Sequence, residues 1–191
     1  HDEYLLPCVA KSTAIVAEMA CGSDSPFVFV HDDLASATGP MFRPQWYEDS
    51  IFPHYPEIFA PAKGLGKKII FVADGTMTAF LPKLVEAGVD GLMWEAPLTA
   101  IDAVIENFGR PGQFFIGGVS TKTLAFGSPA DIHAEVMTVH HQTRDHPGFA
   151  LATGGGFHSG LPMENIEAYF DARVAINATP EDWRTRCRTS S

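Results

Sequence analysis

Basic side chains are scarce in this chain: 13 lysines and arginines stand against 23 aspartates and glutamates over 191 residues, a formal net charge of −10. That balance argues against non-specific binding to nucleic acid or to an anionic membrane, which needs a basic face. It also weighs against a highly anionic substrate, unless basic residues cluster locally. Cysteine is sparse as well. Cys8, Cys21 and Cys187 form an odd, widely spaced set without a CxxC pair, which fits a reducing cytoplasm better than a disulfide framework. No apolar stretch is expected to reach the roughly 18 residues of a membrane span, and no signal-peptide pattern opens the chain. A Gly-rich dinucleotide fingerprint is missing after the first apolar run, and Ser159 lies in no Gly-x-Ser-x-Gly elbow, so neither a nucleotide-binding open sheet nor acyl transfer is indicated. What remains is ordinary globular material, 46% hydrophobic and 11% aromatic, long enough for one sizeable core.

Against these absences stand five short apolar runs, at 27–31, 68–72, 90–94, 113–116 and 148–152. Each ends in something capable of chemistry or of a tight turn: Asp32-Asp33, Asp74-Gly75, Glu95, Gly117-Gly118, and Gly154-Gly155-Gly156 with His158. Continuous apolar runs read as buried parallel strands, and in barrel enzymes the active groups sit just past the strands' carboxyl ends. Helical stretches fall between the runs, at 55–63, 78–87, 97–108, 128–144 and 162–177, and another precedes them at 5–21. Ser128-Pro129 supplies a cap with proline at the first helical position. Strand–helix alternation means a parallel sheet with right-handed crossovers. Five units suit either an open doubly wound sheet or part of an eight-unit barrel, and the missing fingerprint favours the barrel.

Each candidate residue has a plain structural alternative. Asp32 and Asp33 can reach ligand or cap a turn, and because side chains alternate along a strand only one of them can face the mouth. Asp74 either serves chemistry or caps the turn at Gly75. Glu95, beside Trp94 and Ala96-Pro97, suits proton transfer if desolvated, or else complements a helix dipole. His158 follows three glycines whose amides could approach an anion. His31, at a strand end, faces either the mouth or the core. The methionines, Met41 among them, read as core or rim fillers.

The stretches Asp32-Asp33-Leu34-Ala35, Gly39-Pro-Met-Phe-Arg-Pro44, Pro53-His-Tyr, Gly66-Lys-Lys-Ile-Ile70, Asp74-Gly75, Leu84-Val-Glu-Ala-Gly-Val-Asp-Gly91, Gly117-Gly-Val119 and Leu161-Pro-Met-Glu-Asn-Ile166 resemble, in order and spacing, the uroporphyrinogen decarboxylase superfamily. That superfamily includes the decarboxylase of haem synthesis and corrinoid-linked methyltransferases. The resemblance implies an α/β fold of (β/α)8 TIM-type barrel, of which this chain supplies about the last five units. A single partial barrel domain is expected over 1–178, with a polar basic tail at 179–191. Another polypeptide segment or chain is then needed to close the barrel. The implied activity is movement of a methyl group between a small methylated substrate and a corrinoid protein, in the cytoplasm. The alternatives are decarboxylation of a tetrapyrrole and a non-catalytic small-molecule-binding fragment. The implied site has Asp74, Glu95 and His158 as catalytic groups and as ligands of a zinc ion. Asp32, Asp33, Met41, Arg43, Trp94 and Gly155 are expected around the substrate. The methyltransferase branch carries His-x-Cys-Gly where this chain has Val72-Ala73-Asp74-Gly75, so its imidazole and thiolate are absent. Ungapped spacing from Pro162 would place the family histidine at Gly155, and a three-residue deletion would place it at His158.

Overall fold

The structure, a computed structural model, describes residues 2–177; the tail expected at 179–191 lies outside them. Helix α1 (Asp2–Cys21) leads into strand β1 (Phe27–His31). A short hairpin of β2 (Ala35–Ser36) and β3 (Gly39–Pro40) follows, then α2 (Pro44–Ser50), a 3-10 turn at Phe52–His54 and α3 (Tyr55–Gly64). The chain continues through β4 (Lys68–Ala73), α4 (Leu81–Glu86), β5 (Gly91–Trp94), α5 (Ile101–Phe108) and β6 (Phe114–Val119). Helices α6 (Thr121–Phe126) and α7 (Pro129–Thr143), strand β7 (Phe149–Thr153) and α8 (Met163–Asn177) complete it.

Five strands form one parallel sheet in the order β1-β4-β5-β6-β7. Each strand pairs with the next one of the series, so the sheet never reverses direction as a doubly wound sheet does at its switch point. The sheet also curls. The Phe27 and Phe114 rings meet edge to face with centroids 5.2 Å apart, although three strand spacings, about 14 Å on a flat sheet, separate β1 from β6. Sequential order and inward curl together make an arc of a (β/α) barrel. The open sheet that the sequence also allowed is excluded.

One face of the arc carries the core. Phe71, Leu92, Trp94 and Phe115 point outward beneath the helices and pack with Phe59, Leu84, Val104 and Phe108. The register that aligns Phe29 with Ile70 and His31 with Val72 places these four side chains on the opposite, inner face. Their positions explain why the runs read as continuously apolar: strands covered on both sides cannot alternate.

Several boundaries differ from the sequence reading. Strand β6 runs on through Gly117 and Gly118, which were expected beyond its end; both take positive φ, and a side chain on Gly117 would strike Trp94 at 2.9 Å. Helices α4 and α5 begin about three residues later than expected, since the preceding residues are used in turns that form the strand-end loops. Helix α6 and the β2–β3 hairpin were not anticipated, being too short to show a period. The Ser128 cap is present as a reciprocal box, Ser128 N–H donating to Asp131 Oδ2 at 2.8 Å and Asp131 N–H to Ser128 Oγ at 3.3 Å.

Helix α1 corrects a further expectation. Over Glu3–Cys21 its mean hydropathy is 1.3, long and apolar enough by length and composition to cross a membrane. Its amphipathic arrangement nevertheless serves the fold: Val9, Val16 and Ala20 are buried in the core cluster, while Lys11 and Glu18 face outward.

At the amino-terminal end of the sheet, Asp90 ties three elements together. Its carboxylate pairs with Lys63 and, at 3.1 Å, with Lys68, and it accepts the Ile69 N–H at 2.8 Å. Burial alone would raise its pKa, but the two ammonium groups and the amide outweigh burial and hold the carboxyl below its ordinary value. A carboxylate depressed in the folded state contributes stability above its unfolded pKa, and that contribution is lost as pH falls through the folded value. Asp90→Asn is therefore expected to cost about 1–3 kcal/mol at neutral pH, with the deficit closing below about pH 3. Urea denaturation at pH 7 and pH 3 checks it.

Candidate functional site

The barrel arc brings the strands' carboxyl ends to one rim, and the sheet register decides which side chains meet there. Because His31 aligns with Val72, continuing both strands by two residues sets Asp33 opposite Asp74. Alternation keeps His31 and Asp33 on the same inner side. Ligand atoms of His31, Asp33 and Asp74 accordingly lie within 4.8 Å of one another, all three residues being exposed. His31 Nε2 and Asp33 Oδ1 are 3.1 Å apart, a hydrogen bond in which the protonated ring nitrogen donates. Two carboxylates face each other across the ladder, an arrangement that costs stability without a positive neighbour.

Alternation sends Asp32 the other way. It accepts the Tyr55 hydroxyl at 2.8 Å and lines a small apolar cavity of about 120 Å³ with Leu5, Val9 and Ile58, between α1 and α3. Burial there raises its pKa above the carboxylate norm despite the Tyr55 hydrogen bond, and burial with the nearby Asp32 pushes the Tyr55 phenol far upward. Asp32 thus sits behind the strand end rather than among the mouth groups.

Glu95 and Trp94 part in the same manner. Glu95 is half-buried, and its Oε2 accepts the Gly75 N–H at 3.3 Å, which places it at the end of β5 beside the Asp74–Gly75 turn. Gly154 packs on it, with space for no side chain: a Cβ would lie 3.0 Å from Glu95 Cα and Cγ. Trp94 points into the core, 2% exposed, with Nε1 donating to the Thr99 carbonyl at 3.2 Å. It is unavailable to a substrate, contrary to the sequence expectation.

Gly75 joins this turn to the hairpin above it. Its φ is +81°, and a Cβ would fall 2.6 Å from the Ala35 carbonyl oxygen. Only glycine lets the β2–β3 hairpin settle on the end of β4, where Thr76 N–H donates to Ser36 O at 2.9 Å. Thr99, fully buried, fastens the turn from beneath: its Oγ1 accepts the Met77 N–H at 2.7 Å and donates to Gly75 O at 3.0 Å.

The remaining expected residues are more scattered. Met41 and Arg43 are exposed beyond the hairpin, Arg43 lining a surface cleft with Phe42, Trp46 and Asp49. Gly155 is held by its N–H donating to Thr121 Oγ1 at 2.8 Å. His158 is exposed in the loop after β7, its Nδ1 accepting the Gly160 N–H at 3.1 Å.

The metal set expected from the sequence was Asp74, Glu95 and His158. Among the described residues, the group of His, Cys, Asp and Glu side chains close enough to hold an ion is His31, Asp33 and Asp74, so Asp74 keeps different company. Glu95 is turned to an amide, and His158 stands on a separate loop. His31 was underweighted; the signal for it was the His31-x-Asp33 spacing, which puts both on one strand face. The donors are one imidazole and two carboxylates. They do not fit the imidazole–thiolate zinc site that the resemblance implies, since Val72 cannot ligate and no cysteine is in the group. Carboxylate oxygens suit a hard divalent cation and the imidazole a borderline one, so the donor types alone select neither.

Comparison with known proteins accords with the barrel fold. The family profile described as Uroporphyrinogen decarboxylase (URO-D) matches residues 3–176. No curated protein matches. Among solved structures, the chain is similar to a methyltransferase from Methanosarcina mazei, with a TM-score of 0.69 and 20% identity over 89% of this chain and 48% of that one. It also aligns with an uncharacterized protein at a TM-score of 0.48 and 18% identity, over 88% of this chain and 42% of that one. The chain therefore spans about half the length of the solved structures it matches. At such identity the likeness establishes the fold.

Proposed function

Because the chain belongs to the uroporphyrinogen decarboxylase family, we propose that its strand ends form part of the mouth of a methyltransferase, one that moves a methyl group between a small methylated substrate and a corrinoid protein. The observation that carries this reading over decarboxylation is the sign of the mouth. Asp33 and Asp74 face each other there with Glu95 at the next strand end, while Arg43 lies in a separate cleft with Trp46. A tetrapyrrole bearing many carboxylates calls for arginine and lysine around it. Carboxylates at the strand ends repel such a molecule and favour a neutral or cationic methylated one. The methyltransferase named among the similar structures points the same way.

In methyl transfer the methyl group leaves its heteroatom without the bonding electron pair, which stays behind. A corrinoid, when brought by its partner protein, supplies the acceptor. The chain's own groups bind and balance charge. Asp74 and Asp33 hold the positive end of a methylated substrate, the latter fixed by His31 across 3.1 Å. The His31 ring, oriented by that contact, is placed to give or take the proton that the freed heteroatom exchanges. Glu95 keeps the Gly75 turn, and so Asp74, in place.

The sign of the mouth is directly testable. A carboxylated porphyrin, titrated at low salt and followed by quenching of its fluorescence, is expected not to bind. Asp33→Asn with Asp74→Asn should weaken that exclusion. Tight binding to the unaltered protein, at or below micromolar, would favour the decarboxylase reading.

A further inference from the structure

The Asp74 carboxylate is exposed and, among the described residues, no side chain bonds it. Where it stands in the mouth is therefore set by the main chain beneath it. That main chain is a turn which leaves β4 and enters no helix before Leu81, and a surface connection of this kind ordinarily satisfies its polar groups from water. This one is fastened to other segments. Gly75 N–H donates to Glu95 Oε2 at 3.3 Å, Thr76 N–H to Ser36 O at 2.9 Å and the Thr76 hydroxyl to Ala37 O at 2.9 Å. Two more bonds come from one hydroxyl: Thr99 Oγ1 accepts the Met77 N–H at 2.7 Å and donates to Gly75 O at 3.0 Å.

These bonds differ in what water can do for them. Glu95 is half-buried, and Ser36 and Ala37 belong to an exposed hairpin, so solvent can substitute there. Gly75 is buried, and Thr99 and Met77 have no exposed surface. A hydroxyl that bridges two main-chain groups in a dry site has no substitute once removed. Nor is this hydroxyl spent on its own helix. Thr99 precedes Ala100, the N-cap of α5, which gives that helix no side-chain bond. One residue later the hydroxyl would be a cap; at 99 it serves the turn of the neighbouring strand.

Gly75 is where the hold matters. A glycine rotates more freely than any other residue, and the two peptide planes on either side of it decide its dihedral angles. Glu95 grips the first plane through the Gly75 N–H, and Thr99 grips the second through the Gly75 carbonyl. Together they fix the φ of +81° from which the preceding residue, Asp74, takes its direction.

We propose that Thr99 is a positioning residue for Asp74: from beneath the mouth, and without touching substrate, its hydroxyl holds the 74–77 turn in the shape that stands the Asp74 carboxylate opposite Asp33. Its effect on turnover rests on the methyltransferase reading; its effect on placement does not.

Thr99→Val keeps the side chain's shape and removes both bonds, whereas Thr99→Ser keeps the hydroxyl. Backbone order parameters from nitrogen-15 relaxation of the full chain report the turn directly. At Gly75 and Thr76 they are expected near about 0.85 in the unaltered protein and in Thr99→Ser, and below about 0.6 in Thr99→Val. In methylation of a reduced corrinoid, Thr99→Val should lower kcat at least about tenfold with KM within about threefold, because a small displacement of a charged group costs rate steeply. Thr99→Ser should stay within about threefold of the unaltered protein in both constants. Added to Asp74→Asn, Thr99→Val should cause no more than about threefold further loss, since the carboxylate through which it acts is already gone. A residue that served stability alone would lower the melting temperature and leave kcat unchanged. The inference is overturned by a turn that stays rigid in Thr99→Val, by a loosened turn with unchanged kcat, or by losses that multiply in the double variant. Thr99→Ser guards against a valine variant that does not fold: a loosened turn with the hydroxyl still present overturns the inference as well. If no donor methylates the corrinoid on the unaltered protein, the reading of the reaction fails, and the order parameters alone decide the placement.

Discussion

Trp94→Ala is expected to destabilise the protein by about 3–5 kcal/mol, the largest stability loss of any single change considered. Among the described residues the side chain is the largest fully buried one, 2% exposed. Its ring contacts Phe115 at a centroid distance of 6.3 Å, and Gly117 has given up its side chain to admit the indole. Alanine leaves a cavity that β6 cannot collapse to fill, because the backbone there is held on both sides by β5 and β7. Trp94→Phe separates packing from hydrogen bonding. It retains most of the ring's contacts but orphans the Thr99 carbonyl, a deficit of about 1–3 kcal/mol. Because Trp94 lies behind the sheet, the Phe variant should leave the affinity for a mouth ligand within about twofold, a change of under 0.5 kcal/mol. Chemical denaturation gives the first quantity and ligand titration the second. A large loss of affinity with unchanged stability would place the indole in the mouth after all.

Asp74→Asn is expected to act in the opposite sense on stability and strongly on activity. Removing one of two carboxylates opposed across β1 and β4 relieves repulsion worth roughly 0.2–1 kcal/mol, so the melting temperature should rise slightly. With one of the charges that hold the substrate's positive end removed, turnover in methyl transfer should fall by at least about 100-fold. Asp33→Asn should do likewise and should also free the His31 ring from its 3.1 Å contact. A group retained at a cost to folding stability is the signature of a site kept for function. If both asparagine variants were destabilised and fully active, Asp74 would be a turn cap only, the structural alternative that its place before Gly75 allows.

The sequence was legible where physics acts locally. All five sheet strands lie where uninterrupted apolar runs occur, and the cap at Ser128 was readable because Ser-Pro-x-Asp satisfies amides within one turn. The apolar runs alone allow a doubly wound order as well; the missing fingerprint and the family resemblance point to the barrel, and the sheet order with the inward meeting of Phe27 and Phe114 bears that out. The mouth was half readable. Strand ends could be found, but the face to which each side chain turns depends on register, and register is set by pairs far apart in the chain. That is why the neighbours Asp32 and Asp33 could not be told apart, and why Trp94 was grouped with Glu95 although adjacent strand residues point to opposite sides. The Asp33–Asp74 meeting needs the alignment of His31 with Val72, which no local pattern encodes. His158 could not be placed, because the loop carrying it has no period and the glycines before it permit many paths.

The most direct measurement follows a reduced corrinoid by its absorption spectrum while the protein is offered a panel of small methylated amines, thiols and ethers. The account predicts that at least one donor converts the corrinoid to its methylated form, and that Asp74→Asn slows the conversion at least about 100-fold. Release of carbon dioxide from uroporphyrinogen, with no donor methylating the corrinoid, would contradict it.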